Sequence, residues 1–325
     1  MKKLIAVLMV MLVAFSLFAQ GGKEDSKKVV IYHCISTQRA DPINELLQKQ
    51  FPDYEIVFEY MGLSNLAAKL KNEGPDTEID IALDLGYVYL EDLKDMWEDH
   101  SSFKTERDMY QDFMQVSGNA YMPFSMYSGC VAINKDVFTK KGLKVPTSWE
   151  DLLDPQYKGL IEMPNPASSG TGYIFLKMLC ELWGTDKAIA YFDKLAPNVL
   201  AFTSSGSAPL NALVTGECAI ALCMTYQAAN KITEGVNLQI LEFDGGYPWT
   251  SDGAAIVKGH ATPAVKEVFK YIYSTCVIED MKLFTEHGFK TGDGQLKNFP
   301  QNIKYSNMGE DTLAAKEAIL AKWKH

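Results

Sequence analysis

The sequence predicts an α/β protein of two lobes joined by two crossing strands, with a ligand cleft between. Three observations carry this. Strand-like and helix-like patterns alternate over residues 28–96, and the alternation restarts over residues 160–243. Two extended segments, 121–134 and 244–258, show no helical period and read as crossings between the units. Loops rich in hydroxyls and glycine recur where expected strands end and helices begin. Strand–helix alternation with short polar loops builds parallel sheets covered on both faces. A cleft between two lobes is where small ligands bind.

The elements follow in order. Lys28-Val29-Val30-Ile31-Tyr32 is the first strand, followed by a polar turn over 33–38. Ile43, Leu46 and Leu47 fall at helical spacing in a helix expected over 42–51. A strand over 54–60 leads to Ser64, which caps a helix carrying Leu66, Ala67 and Leu70. Ile79-Asp80-Ile81-Ala82-Leu83 is the third strand, 84–87 a loop and 90–96 a helix. After the crossing at 121–134, Thr147 or Ser148 opens a short helix with acids in its first turn. The second unit alternates strands at 160–163, 199–202, 219–224 and 238–243 with helices at 172–183 and 208–214. A strand at 252–258 crosses back. Helices at 263–275 and 279–287, a loop at 292–301 and a helix at 311–324 complete the chain.

At 325 residues, the chain is long enough for two domains of roughly 100–200 residues each. Hydrophobic residues make up 47% and charged residues 22%, which excludes a disordered chain and a polytopic membrane protein. With 31 Lys+Arg against 41 Asp+Glu, the net charge of −10 lacks the footprint of a nucleic-acid binder. Lys2 and Lys3 precede an apolar run over 4–18 that ends at Ala19, so residues 1–19 read as an export signal. That run is short of the ~20 residues a membrane-spanning helix needs. Gln20 stands where a lipoprotein cleavage box carries its lipid-bearing cysteine, so a lipid anchor would require Cys at that position. Residues 20–27 read as a tether. The six cysteines (34, 130, 180, 218, 223 and 276) form no C-x-x-C pair and read mostly as small buried hydrophobes. Their spacing does not fix any pairing.

Pro164-Asn165-Pro166-Ala167-Ser168-Ser169-Gly170-Thr171-Gly172-Tyr173 carries the most chemistry. It leaves a strand and opens a helix. Its hydroxyls, exposed N–H groups and helix dipole favour an anion, although an ordinary helix cap uses the same residues. Thr203-Ser204-Ser205-Gly206-Ser207 repeats this chemistry, as do Ser36-Thr37 and Ser64. Such loops gather at the carboxyl ends of the strands, so these four are expected to converge on the cleft. Tyr226 and Trp249, beside expected strand ends, are the aromatics best placed to flank a ligand. Nucleophile-elbow, dinucleotide, P-loop and H-E-x-x-H motifs are absent, and the five histidines form no i, i+4 pair.

Export, two lobes, two crossings and these loops together resemble the periplasmic substrate-binding proteins of ABC transporters. More narrowly, the chain is similar to their ferric-iron, hexose-phosphate and phosphonate-binding branch. Matching stretches include Val30-Ile31-Tyr32, residues 63–70, Asp80-Ile81-Ala82-Leu83, residues 131–135, 146–152, 164–173, 206–221 and 252–259. The resemblance implies a type II periplasmic-binding-protein fold that closes on its ligand like a hinged clamp. The expected bounds are 28–126 plus 253–290 for one lobe and 127–252 plus 291–325 for the other.

In ferric-binding relatives a His, a Glu and two tyrosines hold the metal, and those roles fall here at Ser36, Leu85, Tyr226 and Gln227. Only Tyr226 keeps a suitable ligand, with His33 as the nearest substitute, and Fe(III) prefers anionic oxygen donors. Hexose-phosphate relatives carry a His-Asp pair near Tyr226-Gln227 and an acid near Thr250, which differ here. The hydroxyl-rich loops suit a phosphoryl group.

The resulting expectation is capture of a small anionic, phosphorylated compound and delivery to a membrane ABC permease. The chain is read as an exported monomer with no cofactor, no metal and no catalysis. Ser36 and Thr37 bind from one lobe. Ser168, Ser169, Gly170, Thr171, Ser205 and Ser207 bind from the other, while Tyr226, Gln227 and Trp249 read the rest of the ligand. Iron is the alternative. A polyamine, drawn by Asp41, Asp84, Asp244 and Asp252, and an exported hydrolase with Ser169 as nucleophile rank below it.

Overall fold

The computed structural model describes residues 27–325 apart from 115–117, 285, 287, 292–295 and 310, and apart from the side chains of Thr37, Gln38 and Leu283. The expected export signal at 1–19, the tether up to residue 26 and part of the 292–301 loop lie outside the described residues.

The first lobe opens with β1 (Lys28–His33), α1 (Thr37–Gln50), β2 (Glu55–Tyr60), α2 (Leu63–Glu73), β3 (Ile81–Gly86) and α3 (Tyr87–Asp92). β1 pairs in parallel with both β2 and β3, the arrangement that requires helical crossovers. After short helical turns comes β4 (Met122–Asn134), then α4 (Lys135–Lys141), β5 (Ile161–Pro164), α5 (Gly170–Trp183) and α6 (Thr185–Leu195). β6 (Val199–Thr203), α7 (Ala208–Thr215), β7 (Ile220–Met224), α8 (Thr225–Thr233) and β8 (Leu238–Leu241) follow. β9 (Trp249–Ile256) crosses back to α9 (Pro263–Tyr271), a π-helical turn (Ile272–Cys276), α10 (Val277–Leu283) and, last, α11 (Leu313–Leu320).

The nine strands run in the order β2-β1-β3-β9-β4-β7-β5-β6, with β8 also on β4. β4 is the shared strand. Its residues Met122 to Ser128 pair with β9, and from Gly129 to Ile133 it pairs with β7. Gly129 marks the change of partner. A Cβ there would stand 2.6 Å from the Phe175 ring, so only glycine admits that ring.

Each half of the sheet is covered on both faces. Ile31, Ile43, Leu47 and Phe269 fill one side of the first half, and Leu66, Leu70, Leu85 and Leu90 the other. Ile133, Ile161, Phe175 and Phe192 fill one side of the second half, and Leu210, Leu213 and Ala221 the other. Each such side chain contributes about 1.5–3 kcal/mol on burial, so the two cores, more than the connecting strands, hold the lobes. All six cysteines are free thiols and five are buried, as small hydrophobes would be.

Several boundaries differ from the sequence expectation. α1 begins at Thr37, five residues before Pro42, which sits inside the helix. Ala40, Ile43 and Leu47 are buried along one stripe, and this burial outweighs the N–H that proline lacks. β3 runs to Gly86, so Asp84 belongs to the strand and not to a loop. β9 starts at Trp249, because Trp249, Thr250 and Ser251 pair with Ser128, Tyr127 and Met126. Ser64 does not cap α2; the cap position is Gly62. Helices α4, α6 and α8 were not anticipated. α4 is short and held by Asn134, whose side chain accepts from the N–H groups of Asp136 and Val137. α8 buries only Thr225, Ala228 and Ala229, too few apolar residues for a periodic signal.

Candidate functional site

A cavity of about 490 Å³ opens between the lobes. Residues just beyond the carboxyl ends of β1, β3, β5, β6 and β7 line it, the position where open α/β sheets bind ligands.

One wall is built of hydroxyls. Ser168, Ser169, Gly170 and Thr171 come from the β5–α5 loop, Ser204, Ser205 and Gly206 from the β6–α7 loop, and Ser36 from the β1–α1 loop. Ser169 is the N-cap of α5, and its Oγ accepts from Gly172 N–H at 3.4 Å. Ser36 and Ser207 occupy cap positions without a side-chain cap bond, so capping does not consume their hydroxyls. Gly206 permits the two serine loops to meet. A Cβ on it would stand 2.5 Å from Thr171 Oγ1. Tyr127 also lines this wall, and burial, helped by Asp252 and Asp84, lifts its pKa well above the usual phenol range. It therefore faces the cavity as a neutral hydroxyl.

The floor is built of charges. Asp84, Asp252 and Glu286 line it and are all buried. Asp84 has φ 59° at an irregularity between Leu83 and Leu85 where β3 meets β9. Aspartate tolerates this left-handed conformation better than most residues. Ser125 Oγ donates to Asp84 Oδ1 at 2.7 Å. Burial, and then the neighbouring Asp84, push the Asp252 carboxyl well above its usual range, against the pull of Arg39 and Lys316. Glu286 Oε2 accepts from Ser128 N–H at 3.1 Å, and Ser128 Oγ donates to Thr225 Oγ1 at 2.7 Å. The carboxylate thus pins the residue beside which β4 changes partner.

Arg39, on the first turn of α1, is the cation of the floor. Its Nη2 donates to Asp280 Oδ2 at 2.6 Å, its Nε reaches both Asp280 oxygens, and its Nη1 lies 3.9 Å from Asp84 Oδ2. Burial alone would weaken its charge, but Asp280 and Asp84 outweigh that and hold it ionised. The guanidinium stacks over Phe284 at 5.2 Å, and Phe284 meets the edge of Tyr226 at 5.5 Å.

Of the residues singled out from sequence, the fold brings Ser36, Ser168, Ser169, Gly170, Thr171, Ser205 and Tyr226 to this cavity. Three others stand behind or beside it. Ser207 Oγ lies 3.1 Å from Ser205 Oγ, and Gln227 Nε2 donates to the Tyr226 hydroxyl at 3.2 Å. Trp249 lines a neighbouring chamber and donates its indole N–H to Ser306 O at 2.8 Å. The side chain of Thr37 lies outside the described residues. His33 does not join Tyr226. It is buried with its ring stacked on Phe58 at 4.2 Å, and burial lowers its pKa to about 4. Leu85 is buried in the apolar core. Of the four aspartates noted from sequence, Asp84 and Asp252 reach the cavity, while Asp41 and Asp244 are exposed and do not line it. Among the described residues no group of three His, Cys, Asp or Glu side chains is placed to hold a metal ion.

Sequence reasoning missed Arg39, Glu286 and Lys316. Arg39 was hidden by reading Pro42 as the helix start. Glu286 had no local signal. Asp84, weighed from sequence only as a loop residue that could draw a polyamine, lies within β3, and its place between Leu83 and Leu85 was the signal for that.

A family described as bacterial extracellular solute-binding protein matches residues 40–323. A protein of Haemophilus influenzae described as uncharacterized is 33% identical over 138 residues, 42% of this chain and 40% of its own length. The chain therefore matches less than half the length of that curated relative. Among solved structures, AfuA of Actinobacillus pleuropneumoniae with exogenous fructose-6-phosphate bound is similar at TM-score 0.73 and 22% identity, covering 92% of this chain and 98% of that one. Iron-bound HitA of Pseudomonas aeruginosa is similar at TM-score 0.73 and 16% identity, covering 91% and 97%. These likenesses establish the type II periplasmic-binding-protein fold, with two α/β lobes and two crossing strands.

Proposed function

The chain belongs to the bacterial extracellular solute-binding proteins, and on that premise we propose that it captures a small phosphorylated compound, a sugar phosphate or related organophosphate. Membership implies a small solute, an ABC permease as partner and a place of work outside the cytoplasmic membrane. Among the described residues no helix is long and apolar enough to cross a membrane. Residues 1–19 are the proposed export signal. The proposed lobes are 28–126 with 253–290, and 127–252 with 291–325.

One observation carries the ligand reading: Ser36, Ser169, Thr171 and Ser205, from three separate loops, meet on one cavity. Hydroxyls and helix-start N–H groups bind phosphoryl oxygens without a full countercharge. The floor serves the other end. Asp84 and Glu286 accept hydrogen bonds, so the body of the ligand should donate to them, as the hydroxyls of a sugar do, while Asp252, its carboxyl raised by burial and Asp84, can hold a proton. Closure of the lobes excludes water and strengthens both sets of bonds. No bond of the solute is made or broken.

The test is calorimetric titration of a hexose phosphate into the unaltered protein and into a Ser169→Ala/Thr171→Ala double variant. Hydrogen bonds to charged groups are worth about 1.5–3 kcal/mol each, so the double variant should bind at least tenfold more weakly. Equal affinity in both proteins would overturn the anion wall.

A further inference from the structure

We propose that Lys316 is a ligand-binding residue carried across the cleft on a C-terminal strap, and that its ammonium moves from two tyrosine rings to the anionic group of the solute. The inference rests on the organophosphate reading above and adds where that anion sits.

The strap is anchored to one lobe. Ile319 of α11 is buried in the core that contains Ile161, Phe175 and Phe192. Trp323 packs edge-on to Phe192 and Phe202 at 5.4 and 5.6 Å. Lys322 Nζ lies 2.7 Å from Asp186 Oδ1, and Asn165 Nδ2 donates to His325 O at 3.0 Å. From this base α11 reaches back over the cleft to the other lobe. Lys316 Nζ stands 5.1 Å from the ring centre of Tyr89, on α3 of the first lobe, and 4.9 Å from that of Tyr173, on α5 of the second.

Lys316 lines the deep cavity and also an outer chamber of about 470 Å³. The two spaces share Ser168, Ser169 and Gly170. Facing these across the outer chamber are Ser64 and Asn65 from the first turn of α2. One carboxylate, the exposed Glu317, is found among the described residues lining this chamber. Four line the deep cavity: Asp84, Asp252 and Glu286 on its floor, and Asp311, whose carboxyl burial raises against the pull of Lys177 and Lys316. An anionic head is therefore favoured beside Lys316 and the hydroxyls of the outer chamber, away from Asp84 and Glu286, with a hydrogen-bond-donating body inward.

The chemistry of the lysine fits such a move. A ring face holds a partly exposed ammonium weakly, whereas a phosphoryl oxygen offers it a charge-assisted hydrogen bond. A flexible four-carbon stem lets the charge change partner without moving the helix. Arg39 is differently placed, because both Asp280 oxygens already engage its guanidinium. Lys316 faces two rings and, through space, Asp311, whose Oδ1 already accepts from the Tyr173 hydroxyl, so it is the cleft cation whose present partners a phosphoryl group can replace.

The test titrates a hexose phosphate and its parent hexose into four proteins at 20 and 200 mM NaCl: unaltered, Lys316→Met, Lys316→Arg and Tyr89→Leu. Methionine keeps the length of the stem and removes the charge. The K316M protein should bind the phosphate at least tenfold more weakly, with a flattened salt dependence, and bind the parent hexose as the unaltered protein does. K316R should restore phosphate affinity to within about threefold, and Y89L should retain it, because each keeps the charge. Phosphate affinity and salt dependence unchanged in K316M would overturn the inference while leaving the organophosphate reading intact. An unaltered protein that binds no phosphorylated probe would overturn that reading first.

Discussion

The wall and the floor of the cleft solve the same problem with opposite materials. The wall is made of hydroxyls and glycines at the starts of helices: Ser36, Ser168 to Thr171, and Ser204 to Gly206. The floor is made of ionisable groups, the buried Asp84, Asp252 and Glu286 and the partly buried Arg39, supplied by a strand irregularity, a crossing strand, a late loop and a helix first turn. The wall is local. Each of its loops is a short run of sequence whose chemistry is complete in itself. The floor is assembled from residues as far apart as Arg39 and Asp280. A charge buried there stands only because a partner from elsewhere in the chain meets it.

The two regions should therefore fail differently. Arg39→Ala strips Asp280 and Asp84 of their partner, and breaking a buried pair typically costs about 3–5 kcal/mol. Urea unfolding should show that loss, and a change below ~1 kcal/mol would mean the floor charges are solvated. Gly206→Val strikes the wall. Its new side chain meets Thr171, so an overpacking cost of about 1–3 kcal/mol is expected, together with weaker ligand binding. Unfolding and titration of the same variant would separate the two effects.

Asp252→Asn acts in the other direction. Burial and Asp84 raise this carboxyl in the folded protein, so the native state binds its proton more tightly than the unfolded chain does. Its ionisation therefore costs stability as pH rises from about 4, the unfolded value, toward the raised one. The variant should be more stable than the unaltered protein at neutral pH, and the gap should shrink toward pH 4. A gap that does not change with pH would show that Asp252 does not titrate as the floor geometry requires. The smallest effect is expected at Trp249, whose indole N–H meets Ser306 O outside the deep cavity. Trp249→Phe should cost about 0.5–1.5 kcal/mol of stability and change ligand affinity by less than about twofold.

The same contrast explains what was legible in the sequence. The alternation of strands and helices, both crossings and the hydroxyl-bearing helix starts follow from local pattern, and the fold has them. The mistakes fall where a long-range contact overrides local pattern. Pro42 reads as a helix start, yet burial of Ala40 and Ile43 extends α1 back to Thr37 and delivers Arg39 to the floor. Within the extended crossing the strand is expected only from residue 252, yet pairing with β4 starts it at Trp249. Lys316 sits in an unremarkable helix and gains its place only because α11 docks on a core built from residues 131–243, far from it in the chain.

The most direct test is a thermal-shift panel on ligand-stripped protein. It compares a hexose phosphate, its parent hexose, inorganic phosphate, Fe(III) and spermidine. A ligand that binds only the folded state stabilises it by about 2.7 kcal/mol at a hundredfold excess over Kd. The account predicts a large shift with the hexose phosphate and a small one with the parent hexose. A large shift with Fe(III) or spermidine alone would contradict it, because the floor would then be the ligand site and the hydroxyl wall only its frame.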